Sequence, residues 1–288
     1  MPEQPCVWLN GVLVPRDRAT VSIDDLGFMY GAACFETMRA FNGVVFRLHQ
    51  HLARLDAGLE VLGVHRPDFE MLADAIAAAL GANSLTEARV RLTISAGRGN
   101  GRPDLTAPTE PTILITTEPP LPDPAPARLA VASLHINAER ALPGAKTANY
   151  LTSLLAIAEA REHNADDALL LSPRGDAVEA ATANIFAVTA AGELVTPPLV
   201  TGPLPGVTRE AVMECARDLG LTVRERRLMP AVLADAAEVF TTNSVVGLRP
   251  VSHISGWWTG GDAPGPLTVR LMQAYAELVA RECASNRE

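Results

Sequence analysis

Lysine is nearly missing from this chain. Among its 288 residues 24 are basic, yet Lys146 is the only lysine and the rest are arginine. A compositional bias that places arginine wherever charge alone matters accounts for the arginines. It does not account for the exception. Arginine stays protonated, whereas lysine can offer a neutral, nucleophilic amine. Cysteine is also scarce: Cys6, Cys34, Cys215 and Cys283 lie far apart with no C-x-x-C, which argues against a disulfide framework or structural zinc. No apolar run reaches the ~18 residues of a membrane-spanning helix. The start, Met1-Pro2-Glu3-Gln4-Pro5, lacks a basic region and an apolar stretch, so no signal peptide and a cytoplasmic location are expected. A net charge of −9 disfavours nucleic acid and anionic membrane as partners.

What remains is ordinary globular composition, 48% hydrophobic and 20% charged, which excludes disorder and collagen-like repeats. A chain of this length fits two modest domains better than one core. Asn10-Gly11 and Asn42-Gly43 each separate short apolar runs and predict two β-hairpins. Leu48, Leu52, Leu55, Leu59 and Leu62 then recur at helical spacing up to Gly63, and Asp68 can cap a second helix ending at Gly81. Strands are expected around 90–94 and 112–116. The segment 118–127 holds five prolines in ten residues and reads as a stiff linker. The expected division is a small domain over 1–118, a linker over 119–127 and a larger, strand-rich domain over 128–288. Helices are expected there at about 149–163, 208–219 and 267–283.

Several segments carry candidate chemistry. Lys146 lies in Pro143-Gly144-Ala145-Lys146-Thr147-Ala148-Asn149-Tyr150, just ahead of a helix, among small residues that leave room for a planar ligand. A nearby helix N-terminus is expected to favour its neutral form. In Leu204-Pro205-Gly206-Val207-Thr208-Arg209, a glycine turn opens a helix with Thr208 as the expected N-cap, and exposed N–H groups there suit an anion. A routine capped helix is the plainer reading. Glu179 lies between apolar strands, where it is either a buried acid needing a cationic partner or a solvated edge carboxylate. Arg98-Gly99-Asn100-Gly101-Arg102 follows a strand, but Pro103 and Pro108 come next instead of a helix. The dinucleotide reading fails, leaving a mobile loop that offers Arg98 or Arg102 to a carboxylate. His49 and His51 on one helix point to different faces, so no metal is expected. A lone lysine, an anion-binding helix start, an acid and several arginines together suit pyridoxal phosphate: lysine for the Schiff base, helix start for the phosphate, acid for the ring nitrogen.

On these residues the chain resembles the class IV aminotransferases of pyridoxal-phosphate fold type IV, a group that includes branched-chain and D-amino-acid aminotransferases and 4-amino-4-deoxychorismate lyases. The resemblance runs in order through Asp25–Gly31, Phe35-Glu36-Thr37-Met38-Arg39, His51–Leu55, Lys146–Tyr150, Glu179–Phe186, Leu204–Arg209, Glu238-Val239-Phe240 and Arg249-Pro250-Val251. It implies an α/β fold with a small N-terminal domain and a larger barrel-like domain, in a homodimer. It implies Lys146 as Schiff-base lysine and Glu179 as ring-nitrogen partner. By the same resemblance Arg54, Val207, Thr208 and Ser244 would hold the phosphate, with Asn184, Leu204 and Asn243 also at the cofactor and Tyr150 near its 3-oxygen. Tyr30, Phe35, Thr37, Arg39, Arg98 and Arg102 would meet substrate, and Thr37 could assist proton transfer. Branched-chain members usually carry glycine at Thr37 and an arginine-proline strand motif that is absent here. The D-amino-acid enzymes' arginine-x-histidine segment is replaced by Gly101-Arg102-Pro103, while Thr37 and Ser95-Ala96-Gly97 resemble the lyases. The reading adopted is transfer of an amino group between an amino acid or amine and a 2-oxo acid. The alternative is a lyase releasing pyruvate and 4-aminobenzoate. A non-catalytic vitamin-binding protein and a nucleotide-binding module are the weaker rivals.

Overall fold

A computed structural model describes residues 4–106, 110–136, 144–261 and 263–284. Met1 to Glu3, Pro108 and Pro143, all used above, lie outside these. The chain forms two compact units: residues 1–121 with 145–149 and 279–288, and residues 122–144 with 150–278. The five residues around Lys146 thus belong with the N-terminal unit.

That first unit opens with β1 (Cys6–Leu9) and β2 (Val12–Pro15), joined at Asn10 and Gly11, whose φ values of 48° and 97° make the tight turn. A short helix α1 (Leu26–Tyr30) follows, started by Asp25, whose carboxylate accepts from the Gly27 and Phe28 amides. Next come β3 (Ala33–Phe41), β4 (Val44–Val45), α2 (Leu48–Leu62), α3 (Phe69–Ala82), β5 (Ala88–Ser95) and β6 (Thr112–Glu118). α2 ends at Gly63, left-handed at φ 66°, and Asp68 caps α3 through the Met71 amide. α3 runs one residue past Gly81 to Ala82. The sheet order is β2-β1-β6-β5-β3-β4, antiparallel throughout.

Alternation along β3 decides what this sheet buries. Cys34, Met38 and Ala40 face a core with Val90, Leu92 and Ile94 of β5, Leu52, Leu55 and Leu59 of α2 and Leu72 and Ile76 of α3. Phe35, Thr37 and Arg39 take the other face. Each Met, Val, Leu or Ile among them contributes about 1.5–3 kcal/mol on burial. Truncating Leu59, 1% exposed, to alanine would cost about 2–5 kcal/mol.

The second unit is built on a nine-stranded mixed sheet. It comprises β7 (Ala127–His135), β8 (Asp167–Leu171), β9 (Ala177–Ala180), β10 (Asn184–Val188), β11 (Leu194–Thr196), β12 (Val223–Glu225), β13 (Glu238–Asn243), β14 (Gly247–Ile254) and β15 (Trp258–Thr259). The order is β12-β11-β10-β13-β14-β7-β8-β9, with β15 on β14. Helices α4 (Leu151–Glu162), α5 (Val207–Asp218), α6 (Pro230–Ala234) and α7 (Pro266–Glu282) complete the chain. Both faces of the sheet are covered. Leu129, Leu169, Leu171, Ile185 and Val239 enter one core, while Ala130, Ala168 and Leu170 enter another with Ala156 and Ala160 of α4. Ile157 packs against the same core, but the leucines of α4 do not. Leu151, Leu154 and Leu155 are 66%, 56% and 51% exposed.

Candidate active site

In the first unit, residues 146–148 lie along β3 as a short extra edge. Phe35 N–H donates to the Lys146 carbonyl at 2.9 Å, and Ala148 N–H donates to the Ala33 carbonyl at 2.8 Å. These bonds fix the backbone beneath the lysine. Lys146 Nζ then sits over the Phe35 ring, 4.5 Å from its centroid. Asn149 docks on the turn after Tyr30, donating from Nδ2 to the Gly31 carbonyl at 3.1 Å. Gly31, at φ 70°, has no room for a Cβ because the Asn149 amide fills that space. Lys146 and Phe35 are therefore neighbours at one sheet edge, with Thr37 on the Phe35 face of β3 and Tyr30 just before the turn that Asn149 holds. The setting this gives Lys146 is β3 and an aromatic ring. α4, the helix expected just after it, starts only at Leu151 and is counted with the second unit.

Other residues of this unit have different surroundings. Arg39 shares the Phe35 face and lies over Phe41, 5.0 Å from the centroid. Arg98 leans on Asp24 at 3.4 Å, and Arg102 is exposed in the same loop, its N–H bonded to Asn100 Oδ1. Both lie outside the strands that carry Phe35 and Thr37. Arg54 is on α2, where its Nε and Nη2 donate to Glu36 at 2.8 and 2.6 Å. Sequence reasoning missed Arg91. It pairs with Thr37 across β3 and β5, and its guanidinium lies 3.9 Å from the Phe35 ring centroid. Only the strand register reveals this, and register is not written in the local sequence.

In the second unit, β9 carries Glu179, which is partly buried. Its Oε2 accepts from the Leu204 amide at 2.9 Å and from Asn184 Nδ2 at 3.4 Å, and the same Asn184 nitrogen donates to the Leu204 carbonyl at 2.9 Å. The Leu204 amide and the Asn184 side chain thus fix the direction in which this carboxylate points. Thr208 is not the N-cap of α5. Gly206 takes that position, with φ −71° and ψ 129°, and no side chain caps the helix. The reason is steric: a Cβ at Gly206 would overlap Asn184 Oδ1, so only glycine fits. Thr208, 2% exposed, falls inside the first turn, with its Oγ1 3.4 Å from Ser244 Oγ. Among the described residues the buried Thr242 Oγ1 has no hydrogen-bond partner. An uncapped helix start beside hydroxyl groups suits an anion such as phosphate. Asn243 shapes this loop, since its Oδ1 accepts from the Val245 and Val246 amides at 3.0 and 2.9 Å. Tyr150 donates from its hydroxyl to the Ala181 carbonyl at 3.1 Å. Among the described residues no group of three His, Cys, Asp or Glu side chains has metal-binding geometry.

Comparisons with known proteins place the whole chain in a family. The family described as amino-transferase class IV matches residues 33–254. A putative branched-chain-amino-acid aminotransferase of Methanocaldococcus jannaschii is 33% identical, over 94% of this chain and 96% of its own. The crystal structure of the Escherichia coli branched-chain amino acid aminotransferase superimposes with a TM-score of 0.91 at 29% identity, covering 99% of this chain and 97% of that one. A further branched-chain amino acid aminotransferase, complexed with N-(5'-phosphopyridoxyl)-L-glutamate, gives 0.89 at 28% identity over 97% and 95%. A family match over most of the chain, with relatives aligned almost end to end, leaves one assignment: the chain belongs to the class IV aminotransferases, as a transaminase of pyridoxal-phosphate fold type IV.

Proposed function

We propose that this enzyme moves an amino group between a branched-chain amino acid and a 2-oxo acid, with pyridoxal 5'-phosphate as its cofactor. The observation that carries the proposal is Lys146. The chain's single lysine is pinned by backbone hydrogen bonds with its amine against Phe35. When bound, the cofactor supplies an aldehyde that takes up the amino group and a ring that delocalises charge from the substrate carbon. Lys146 would hold the cofactor covalently and move the proton at the substrate α-carbon. Glu179 would accept a hydrogen bond from the ring N–H and keep that nitrogen protonated, with Asn184 and Leu204 fixing the carboxylate. The Val207 and Thr208 amides, the Thr208 and Ser244 hydroxyls and Arg54 would bind phosphate. Tyr150 would stand by the 3-oxygen, and Asn243 would hold the loop of Ser244. Phe35, Thr37 and Tyr30 would contact the substrate, with Arg91, Arg39 and the loop arginines Arg98 and Arg102 available to its carboxylates. The names of the relatives support the branched-chain substrate. We further infer a homodimer, supported by the exposed leucines of α4.

Borohydride reduction of the holoenzyme followed by peptide mapping is expected to place the adduct on Lys146. Finding none would sink the cofactor assignment. Single-turnover spectra with L- and D-leucine, valine and alanine should show conversion to the pyridoxamine form with release of the matching 2-oxo acid. Pyruvate release from aminodeoxychorismate, without amino transfer to any 2-oxo acid, would overturn the transaminase in favour of the lyase.

A further inference from the structure

β3 carries a charge that the reaction just proposed does not use. Glu36 is fully buried on the face that holds Cys34 and Met38, where an unpaired carboxylate is costly. Two residues of α2 answer it, His51 and Arg54, three positions apart and so on one side of the helix. Arg54 donates from Nε to Glu36 Oε1 at 2.8 Å and from Nη2 to Oε2 at 2.6 Å, while His51 Nδ1 lies 2.7 Å from Oε2. The two parallel bonds fix the plane of the guanidinium and turn Nη1 away from the carboxylate.

His51 completes the arrangement without adding charge. Burial lowers its proton affinity, and the hydrogen bond and charge of Glu36 offset this only in part, with the charges of Arg54 and Lys146 lowering it further. A carboxylate can only accept, so the neutral ring carries its proton on Nδ1 and donates it. For Glu36, burial works upward, but the His51 bond and the charge and bonds of Arg54 outweigh it and hold the carboxyl below its usual range. The cluster is one anion, one cation and one neutral donor. Packing alone does not require such a set, since apolar side chains of similar size would fill the space with no charge to bury.

We propose that Glu36 is a positioning residue that, with His51 as a further donor, holds the Arg54 guanidinium in the orientation that binds the cofactor phosphate. This rests on the reading of Arg54 as a phosphate ligand. The test titrates apoprotein with pyridoxal 5'-phosphate and, separately, with pyridoxal, which lacks only the phosphate. Glu36→Gln should weaken binding of the phosphorylated compound at least tenfold and that of pyridoxal less than about twofold. Arg54→Ala should do the same, and Glu36→Gln added to Arg54→Ala should cost nothing more. His51→Asn, which keeps a donor, should hold phosphate near the parental affinity, whereas His51→Leu should not. If Glu36→Gln does not fold, Glu36→Asp keeps the charge, shortens its reach and gives the same comparison. Equal losses for both compounds would show a merely structural role and overturn the proposal. So would an unchanged phosphate preference in Glu36→Gln and Glu36→Asp, or in Arg54→Ala. A parent that binds neither compound would instead sink the transaminase reading itself.

Discussion

The role proposed for Glu179 can be separated from its part in holding the loop of Leu204. Glutamine at this position can still accept the Leu204 amide, so Glu179→Gln should keep the fold and the cofactor. It cannot stabilise a protonated ring nitrogen. Turnover is expected to fall well over tenfold, more than about 1.4 kcal/mol in the barrier, with little change in Tm. Steady-state kinetics beside a melting curve checks both parts, and turnover within about threefold of the parent would contradict the role. Thr37 tests the reaction type. It shares a face with Phe35, the ring beneath Lys146. If Lys146 moves the proton alone, Thr37→Val should alter substrate preference more than rate. A lyase relying on the hydroxyl would lose about 10²-fold in pyruvate release. His51 and Glu36 make stability depend on pH. Folding lowers the proton affinity of both groups, so their contribution is whole above the ordinary histidine value of 6.5 and fades on acidification as the unfolded chain takes up protons. A further loss follows below the ordinary glutamate value of 4.5. Urea denaturation should show stability falling below pH 6.5, with His51→Asn removing that first decline; identical profiles for the two proteins would refute it.

Elements with strong local signals are legible in the sequence, and those defined by partners are not. The Asn-Gly turns read cleanly because positive φ at both residues suits few other pairs. The leucine spacing of α2 and the Asp68 cap of α3 were equally plain. β9 and β14 carry weak local signals, each for its own reason. β9 is covered on both faces and shows no polar alternation. β14 contains Pro250, which argues against a central strand, yet it lies between β13 and β7 with a register shift after Val251. The start of α5 was visible, but its cap was misplaced because Asn184, which forces glycine at position 206, comes from another strand. Gly206→Ala tests that contact. The new methyl would displace the Asn184 amide, loosening both Glu179 and the start of α5. A cost of about 1–3 kcal/mol is expected, together with weaker binding of pyridoxal 5'-phosphate. Unchanged stability and binding would show that the loop gives way freely.

For the molecule as a whole, residue types were legible and their distances were not. Composition singled out Lys146 because one lysine stood among arginines, and ordered motifs pointed to the family. No local pattern showed that residues 145–149 join the N-terminal unit, or that Arg91 meets Phe35. Both depend on long-range strand pairing. The surface of the chain raises the last question. In the second unit α4 turns Ala156, Ile157 and Ala160 to the core and leaves Leu151, Leu154 and Leu155 more than half exposed, and in the first unit Ile23 and Phe28 are 79% and 75% exposed. Scattered single apolar residues need no explanation, but three leucines on one helix face form a patch that association would bury. If the proposed homodimer uses α4, Leu154→Glu combined with Leu155→Glu places unpaired charge in that interface, where it is poorly tolerated. Sedimentation velocity should then give a monomer where the parent sediments at twice the mass of one chain. Circular dichroism should be unchanged, because neither leucine supports the core of its own unit. A parent that is already monomeric, or a double variant that stays dimeric, would remove α4 from the interface.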